Sequence, residues 1–220
     1  MILKRTTKCL ISLLVLIFLN HKTSGQNKTV VHENQQWFQY YNETKLNARW
    51  TLLPDASYRR RDGFSEHSQF IVRAGLGYSI KPNLRVSAGF AYSGFYTQDT
   101  LNRVEYRPHQ EILLRSSFNN IRVNNRIRIE ERFFNSLDNS NNTFNVRFRY
   151  SLSVTMPIAK LSKSNPDIRV LLTIGDEVFI NAGKETPTQT FDQNRFTVSP
   201  IFQLNKNLSI SPVWNSQYAS

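Results

Sequence analysis

The chain has 220 residues, 40% apolar and 12% aromatic, with 28 Lys and Arg against 16 Asp and Glu. That length suits one domain or two small ones, and eight glycines and eight prolines exclude collagen-like and most disordered compositions. No run of 18 apolar residues occurs, which excludes a helical membrane protein and leaves, by hydropathy alone, a soluble basic one. The alternation along the chain argues against that first impression.

Residues 1–25 stand apart. Lys4, Arg5 and Lys8 make a positive start, Leu10 to Leu19 is apolar except for Ser12, and Thr23-Ser24-Gly25 offers small residues before Gln26. This is the layout of a secretory signal peptide, with an apolar stretch too short to span a bilayer. Its removal leaves residues 26–220 as the mature domain, takes the net charge from +12 to +8, and removes Cys9, the one cysteine. An exported chain without cysteine has no disulfide framework and no thiolate metal site.

Weak alternation near 36–46 and 48–60 opens the mature chain. It sharpens at Phe70, Val72, Ala74, Leu76, Tyr78 and Ile80, which face away from Gln69, Arg73, Gly75, Gly77 and Ser79. Leu84, Val86, Ala88, Phe90 and Tyr92 then oppose Arg85, Ser87, Gly89, Ala91 and Ser93. After a weaker segment at 106–118, Ile121, Val123, Ile127 and Ile129 oppose Arg122, Asn124, Arg126, Arg128, Glu130 and Arg132. The clearest stretch runs from Phe144 to Met156, with every even position apolar and every odd one between them polar. A helix would wind such a stripe around its axis; a strand keeps it on one face. Ile168 to Ile174, Phe196 to Leu204 and a weaker 208–218 complete ten predicted strands, and no helical pattern competes.

Short connections at Leu46-Asn47, Lys81-Pro82-Asn83, Asn119-Asn120 and Asn205-Lys206-Asn207 are expected at one end of the sheet. Longer polar ones, from Arg61 to His67, Gln98 to Arg103, Ser136 to Asn142 and Gly183 to Gln189, are expected at the other. This describes an all-β, up-and-down antiparallel meander, and closure into a barrel hides its edges. A soluble lipocalin-like barrel would turn the apolar face inward around a ligand; an outer-membrane barrel would turn it outward into lipid. Strands of this length cross a bilayer when tilted. Trp37, Phe38, Tyr40, Tyr41, Tyr92, Phe95, Tyr96, Phe133 and Phe134, near strand ends, suit interfacial girdles. A transmembrane β-barrel of 10–12 strands is therefore the expected fold, in the bacterial outer membrane.

Five segments carry a family likeness: Tyr58 to Asp62 (YRRRD), Arg107 to Glu111 (RPHQE), Arg126 to Phe134 (RIRIEERFF), Gly175 to Phe179 (GDEVF) and Phe191 to Arg195 (FDQNR). In that order and spacing the chain resembles the exported barrels of Bacteroidota called domain of unknown function 2490, over nearly all of 35–218. The resemblance implies an outer-membrane β-barrel and carries no activity with it. Relatives continue through another strand beyond Trp214 to Gln217, whereas this chain finishes on Ala219-Ser220. A missing C-terminal closing strand, or imperfect closure, is expected. An added strand at each end, the first in Lys28–Asn34, would make twelve.

The polar face collects arginine. Glu111, Arg115, Arg126, Arg128, Glu130, Arg132, Arg147, Arg149, Glu177 and Arg195 are expected to form a charge network in the lumen. Arginine is the residue for planar, multidentate pairing with carboxylates in a confined space. Such a network makes either a salt-bridged structural plug or a narrow, porin-like constriction preferring anions. His67, beside Ser65, Glu66 and Ser68, keeps a rim-active hydrolase open as an alternative, although a nucleophile needs positioned partners. His109 is expected to join the arginine network. No metal-ligand spacing or phosphate loop is present, so no cofactor and no catalytic residue is expected. Export and arginines scattered on alternate strand positions argue against nucleic acid. The expected partners are outer-membrane lipid and lipopolysaccharide phosphates, the latter met by Arg59, Arg60 and Arg61, and the expected state is a monomer.

Overall fold

The alternation becomes one antiparallel sheet. The computed structural model describes residues 32–138, 141–183 and 190–219; the expected signal peptide and residues 28–31 of the strand proposed in Lys28–Asn34 fall outside them, and residues 32–34 are not in a strand. The strands are β1 (Gln35–Tyr41), β2 (Thr44–Lys45), β3 (Trp50–Leu52), β4 (Asp55–Arg61), β5 (Glu66–Lys81), β6 (Leu84–Thr97), β7 (Thr100–Phe118), β8 (Ile121–Ser136), β9 (Asn142–Lys160), β10 (Arg169–Ala182), β11 (Phe191–Gln203), β12 (Ser209–Ile210) and β13 (Trp214–Ala219). The ladder order is β1-β4-β5-β6-β7-β8-β9-β10-β11-β12, with β13 also on β11 and β3 on β5. No helix occurs among the described residues.

The thirteen strands occupy the ten predicted positions, because three lanes are broken. Pro54 separates β3 from β4, and Pro212 lies between β12 and β13. Proline has no N–H to give the ladder, so it is tolerated only near edges and irregularities. Leu53 keeps the second lane continuous by exchanging backbone hydrogen bonds with Gly75, 2.8 and 3.2 Å long.

The expected loop asymmetry holds only in part. Gln98 and Asp99 close β6 onto β7 as a two-residue turn with both φ positive, at 49° and 58°. That is the handedness a tight hairpin needs to follow strand twist, and it moves Thr100–Arg103 from loop into strand. Likewise β5 starts at Glu66, so His67 is a strand residue.

The sheet curls into a half-barrel. Trp37 on β1 meets Arg195 on β11 across the concave side, 4.9 Å from ring centroid to guanidinium carbon. The ring is not sealed by ladder pairing: β13 pairs with β11, and the outer edges of β1 and β13 have no strand partner among the described residues.

Burial is inverted relative to a water-soluble sheet. Val72 is 54% exposed and Ile127 51%, while Glu105 is fully buried and Glu130 1% exposed. The apolar residues stand on the convex face and the charges fill the concave one. Tyr92 and Phe133 keep to the outer aromatic face, with Phe70–Tyr92, Tyr92–Tyr106 and Phe133–Phe144 ring pairs 4.7 to 5.7 Å apart. Trp37, Phe95 and Phe134 depart from the expected girdle. They turn inward under arginines, with Arg59 over Trp37, Arg103 over Phe95 and Arg132 over Phe134. An aromatic near a strand end has two amphipathic homes, the lipid interface and the face of a guanidinium.

Candidate functional site

Antiparallel register aligns the inward residues into rows. Glu111, Arg128 and Arg149 are direct neighbours across β7, β8 and β9, continued by Phe179 on β10. The next row is His109, Glu130, Arg147 and Asn181. A third holds Arg126, Ser151, Glu177, Arg195 and Gln217. Period-two alternation thus stacks charge against charge, opposite in sign at Glu111–Arg128, Glu130–Arg147 and Glu177–Arg195 and alike at Arg128–Arg149.

Each carboxylate in these rows serves more than one guanidinium. Glu130 accepts from Arg147 at 2.6 and 2.9 Å and from Arg149 at 2.5 Å. Arg128 and Arg107 add longer contacts to it, 3.8 and 3.9 Å. Glu177 accepts from Arg126 at 2.5 Å and Arg149 at 2.9 Å. Glu111 takes both Nε and Nη2 of Arg128, at 2.8 and 2.6 Å. Glu105 receives Arg107 and Arg132. Such multidentate, charge-assisted bonds are the strong ones, and they offset the cost of burying the ions only because nearly every oxygen is used. Phe179, 1% exposed, floors the cluster, with the guanidiniums of Arg147, Arg149 and Arg195 within 5.2 Å of its centroid.

Of the ten residues expected in the network, Glu111, Arg126, Arg128, Glu130, Arg132, Arg147, Arg149 and Glu177 are joined by ion pairs. Arg195 faces the same cavity but holds only the neutral Gln217 side chain, at 3.3 and 3.2 Å. Arg115 lies elsewhere: it is half exposed and shares Glu43 with Arg85. Glu43, in the connection after β1, would be raised by partial burial, yet the two guanidiniums outweigh that and hold it below the ordinary glutamate range.

Sequence reasoning missed Glu105, Arg107, Asp192 and Arg59. The first two continue the alternation of Arg107-Pro108-His109-Gln110-Glu111 backward, and the signal was there once β7 begins at Thr100. Asp192 carries no such signal. It is the extra residue of a bulge, since Phe179 pairs with Gln193 and Ile180 with Phe191, and the bulge lets its carboxylate meet Arg147 at 3.1 Å. Arg59 turns into the cavity, whereas Arg60 and Arg61 donate to the carbonyls of Ser65 and Tyr96.

His109 is buried on the inner face with no hydrogen-bond partner for Nδ1, and its ring packs over Gly89. It is a neighbour of the arginine network without an ion pair to it. His67 Nδ1 is engaged by the Tyr58 hydroxyl, and Ser65 Oγ donates instead to the Asp62 carbonyl at 2.8 Å. No group of three or more His, Cys, Asp or Glu that could hold a metal occurs among the described residues. The concave face also holds a cavity of about 300 Å³ lined by nine arginines and three acids.

The family described as "Protein of unknown function (DUF2490)" matches residues 34–220. No curated protein matches the chain significantly. Among solved structures, the siderophore receptor PirA from Pseudomonas aeruginosa aligns at 13% identity and a TM-score of 0.31, over 84% of this chain and 35% of that one. A mutant of the ferric enterobactin receptor PfeA from the same organism aligns at 11% and 0.34, over 84% and 37%. The chain spans little more than a third of either receptor.

Proposed function

We propose that this chain, which belongs to the DUF2490 family, is an outer-membrane β-barrel protein whose bore is stopped by an arginine–carboxylate plug. One observation carries the proposal: the burial of charge and the exposure of apolar side chains on opposite faces of a single long-stranded sheet. In water that arrangement would expose a wide apolar surface and bury ions at several kcal/mol each. In a bilayer the convex face is solvated by lipid and the concave face needs only its own counter-ions. A lipocalin-like barrel requires the reverse, an apolar calyx, and the concave face here is charged. The signal-peptide layout of residues 1–25 supports export. Lipid is then the partner of the convex face, the protein acts as a monomer, and no enzymatic activity is assigned.

The plug, rather than an open pore, is supported by side chains that bridge lanes. Arg126 on β8 reaches Glu177 on β10, and Arg147 on β9 reaches Asp192 on β11. A second reading, a narrow anion path, is favoured by the excess of arginine in the cavity lining. Refolding into detergent with heat-modifiable gel mobility tests the membrane barrel, and planar-bilayer recording tests the plug. The plug predicts no sustained conductance from folded, full-length protein. Stepwise anion-selective currents would replace it with the second reading, and a folded protein that needs no detergent would overturn the membrane assignment.

A further inference from the structure

We infer that the inner face of Trp37 is a binding site for a phosphate group, held between Arg59 and Arg195. Nine arginines line the cavity. Seven of them contact a carboxylate: Arg73 with Asp55, Arg107 and Arg132 with Glu105, Arg126 with Glu177, Arg128 with Glu111, and Arg147 and Arg149 with Glu130. Among the described residues, Arg59 and Arg195 lie within ion-pair distance of none, although Glu177 is the cross-strand neighbour of Arg195. Both of these cations lie over one ring: Arg59 is 3.9 Å and Arg195 4.9 Å from the Trp37 ring centroid.

The two arrive from opposite ends of the sheet. Arg59 on β4 is the direct cross-strand neighbour of Trp37 on β1. Arg195 comes from β11 and, among the described residues, hydrogen-bonds the Gln217 side chain alone. The Arg59 Nε is buried without a hydrogen-bond partner. Like charges brought to one ring repel, and a low-dielectric surrounding strengthens the repulsion. An anion delivered between them removes the repulsion and uses the donors left over.

The charge decides the class. Glu177 takes its short bonds from Arg126 and Arg149, so two guanidiniums without a carboxylate in contact favour a dianion, which a phosphate monoester approaches near neutral pH and a monocarboxylate does not. The guanidinium fork also matches phosphate oxygens two at a time. Inorganic phosphate and a phosphate ester share this chemistry. The inference rests on the barrel reading only in placing the site inside a lumen.

The test is calorimetric titration of refolded full-length protein in detergent with inorganic phosphate, glycerol phosphate and acetate at constant ionic strength. Saturable phosphate binding is expected, with acetate weaker by about tenfold or more. Arg59→Gln and Arg195→Gln should each weaken phosphate by about tenfold or more. Neither variant breaks an ion pair, so both should fold; Arg59→Lys and Arg195→Lys, which keep charge and lose the fork, should fall between. Arg49→Gln, whose guanidinium donates to the Tyr78 hydroxyl outside this cavity, should change nothing. Tighter glycerol phosphate than inorganic phosphate identifies an ester as the ligand, and the opposite order identifies the free ion. Folded protein that binds no phosphate, or binding that survives both glutamine variants, overturns the site while the barrel stands. Folding without detergent overturns the membrane reading and leaves the titration to decide the site.

Discussion

Replacing Glu130 by glutamine keeps its shape and removes its charge at one of the two most deeply buried carboxylates of the interior network. In the wild type its two oxygens meet Arg147 and Arg149 at 2.5 to 2.9 Å, with Arg107 and Arg128 just beyond. The amide can still accept one or two of these bonds, but four guanidiniums lose their common counter-ion. Arg147 retains Asp192 at 3.1 Å and Arg149 retains Glu177 at 2.8 Å, so neither is orphaned outright. Removing one partner of a buried ion pair costs about 3–5 kcal/mol, and the surviving partners place Glu130→Gln toward the lower end of that range. The half-exposed Arg115–Glu43 pair, by contrast, is worth about 0–1 kcal/mol. The assay is reversible urea unfolding in phospholipid vesicles, read by the loss of heat-modifiable mobility. A double-mutant cycle with Arg149→Gln should show coupling of about 1 kcal/mol or more. A Glu130→Gln loss below about 1 kcal/mol would refute the reasoning, because it is what solvated, screened ions give.

Ile127→Arg places a charge on the convex face near mid-strand and should cost about 2–4 kcal/mol of stability in vesicles; Asn124→Arg, three residues away on the inner face, should be tolerated, and equal losses would mean the faces are misassigned. Gly89→Ala sets a Cβ 2.6 Å from the Ala74 carbonyl oxygen and 2.7 Å from the His109 ring. Overpacking of that kind should destabilise by about 1–3 kcal/mol in the same unfolding assay. The carboxyl of Glu43 is depressed on folding, so its contribution is present above the ordinary glutamate range and lost as pH falls through the folded value. Glu43→Gln should therefore lose no more than about 1 kcal/mol near neutral pH and converge with the wild type in acid; a gap that persists in acid would point to packing instead of charge.

The long central strands were legible because a two-faced strand writes its period directly into the sequence. From Phe144 to Met156 no position contradicts it, and the arginines of β8 and β9 take their sides accordingly. Partners were harder to read than faces. Strand adjacency points from Glu130 to Arg147 and Arg149, and its short bonds do come from them, but Arg132, two residues along the same strand, goes instead to Glu105, which the sequence did not bring into the network. Residues two apart on one strand are farther from each other than directly opposed cross-strand neighbours, so register decides, and register depends on turns. The Gln98–Asp99 hairpin lengthened β7 and brought Glu105 inside. The bulge at Asp192 inserts one residue and changes which side chains face inward, which no fixed period can foresee. Trp37 and Phe95 escaped because composition alone does not separate a ring facing lipid from one facing a guanidinium.

Around most of its girth the wall is stitched by backbone hydrogen bonds; β9 alone has fourteen residue pairs in register with β10. Between β1 and β13 no such stitching exists among the described residues, and side chains do the fastening, with Trp37 under Arg195 as the contact that crosses the gap. A cuff fastened this way has one designated line of tearing. In the proposed bilayer setting, lateral tension would act first on that line, where no ladder pairing holds the wall. The anion inferred above to sit on Arg59 and Arg195 would straddle that line like a rivet. The girth of the cuff is then coupled to whatever the interior holds.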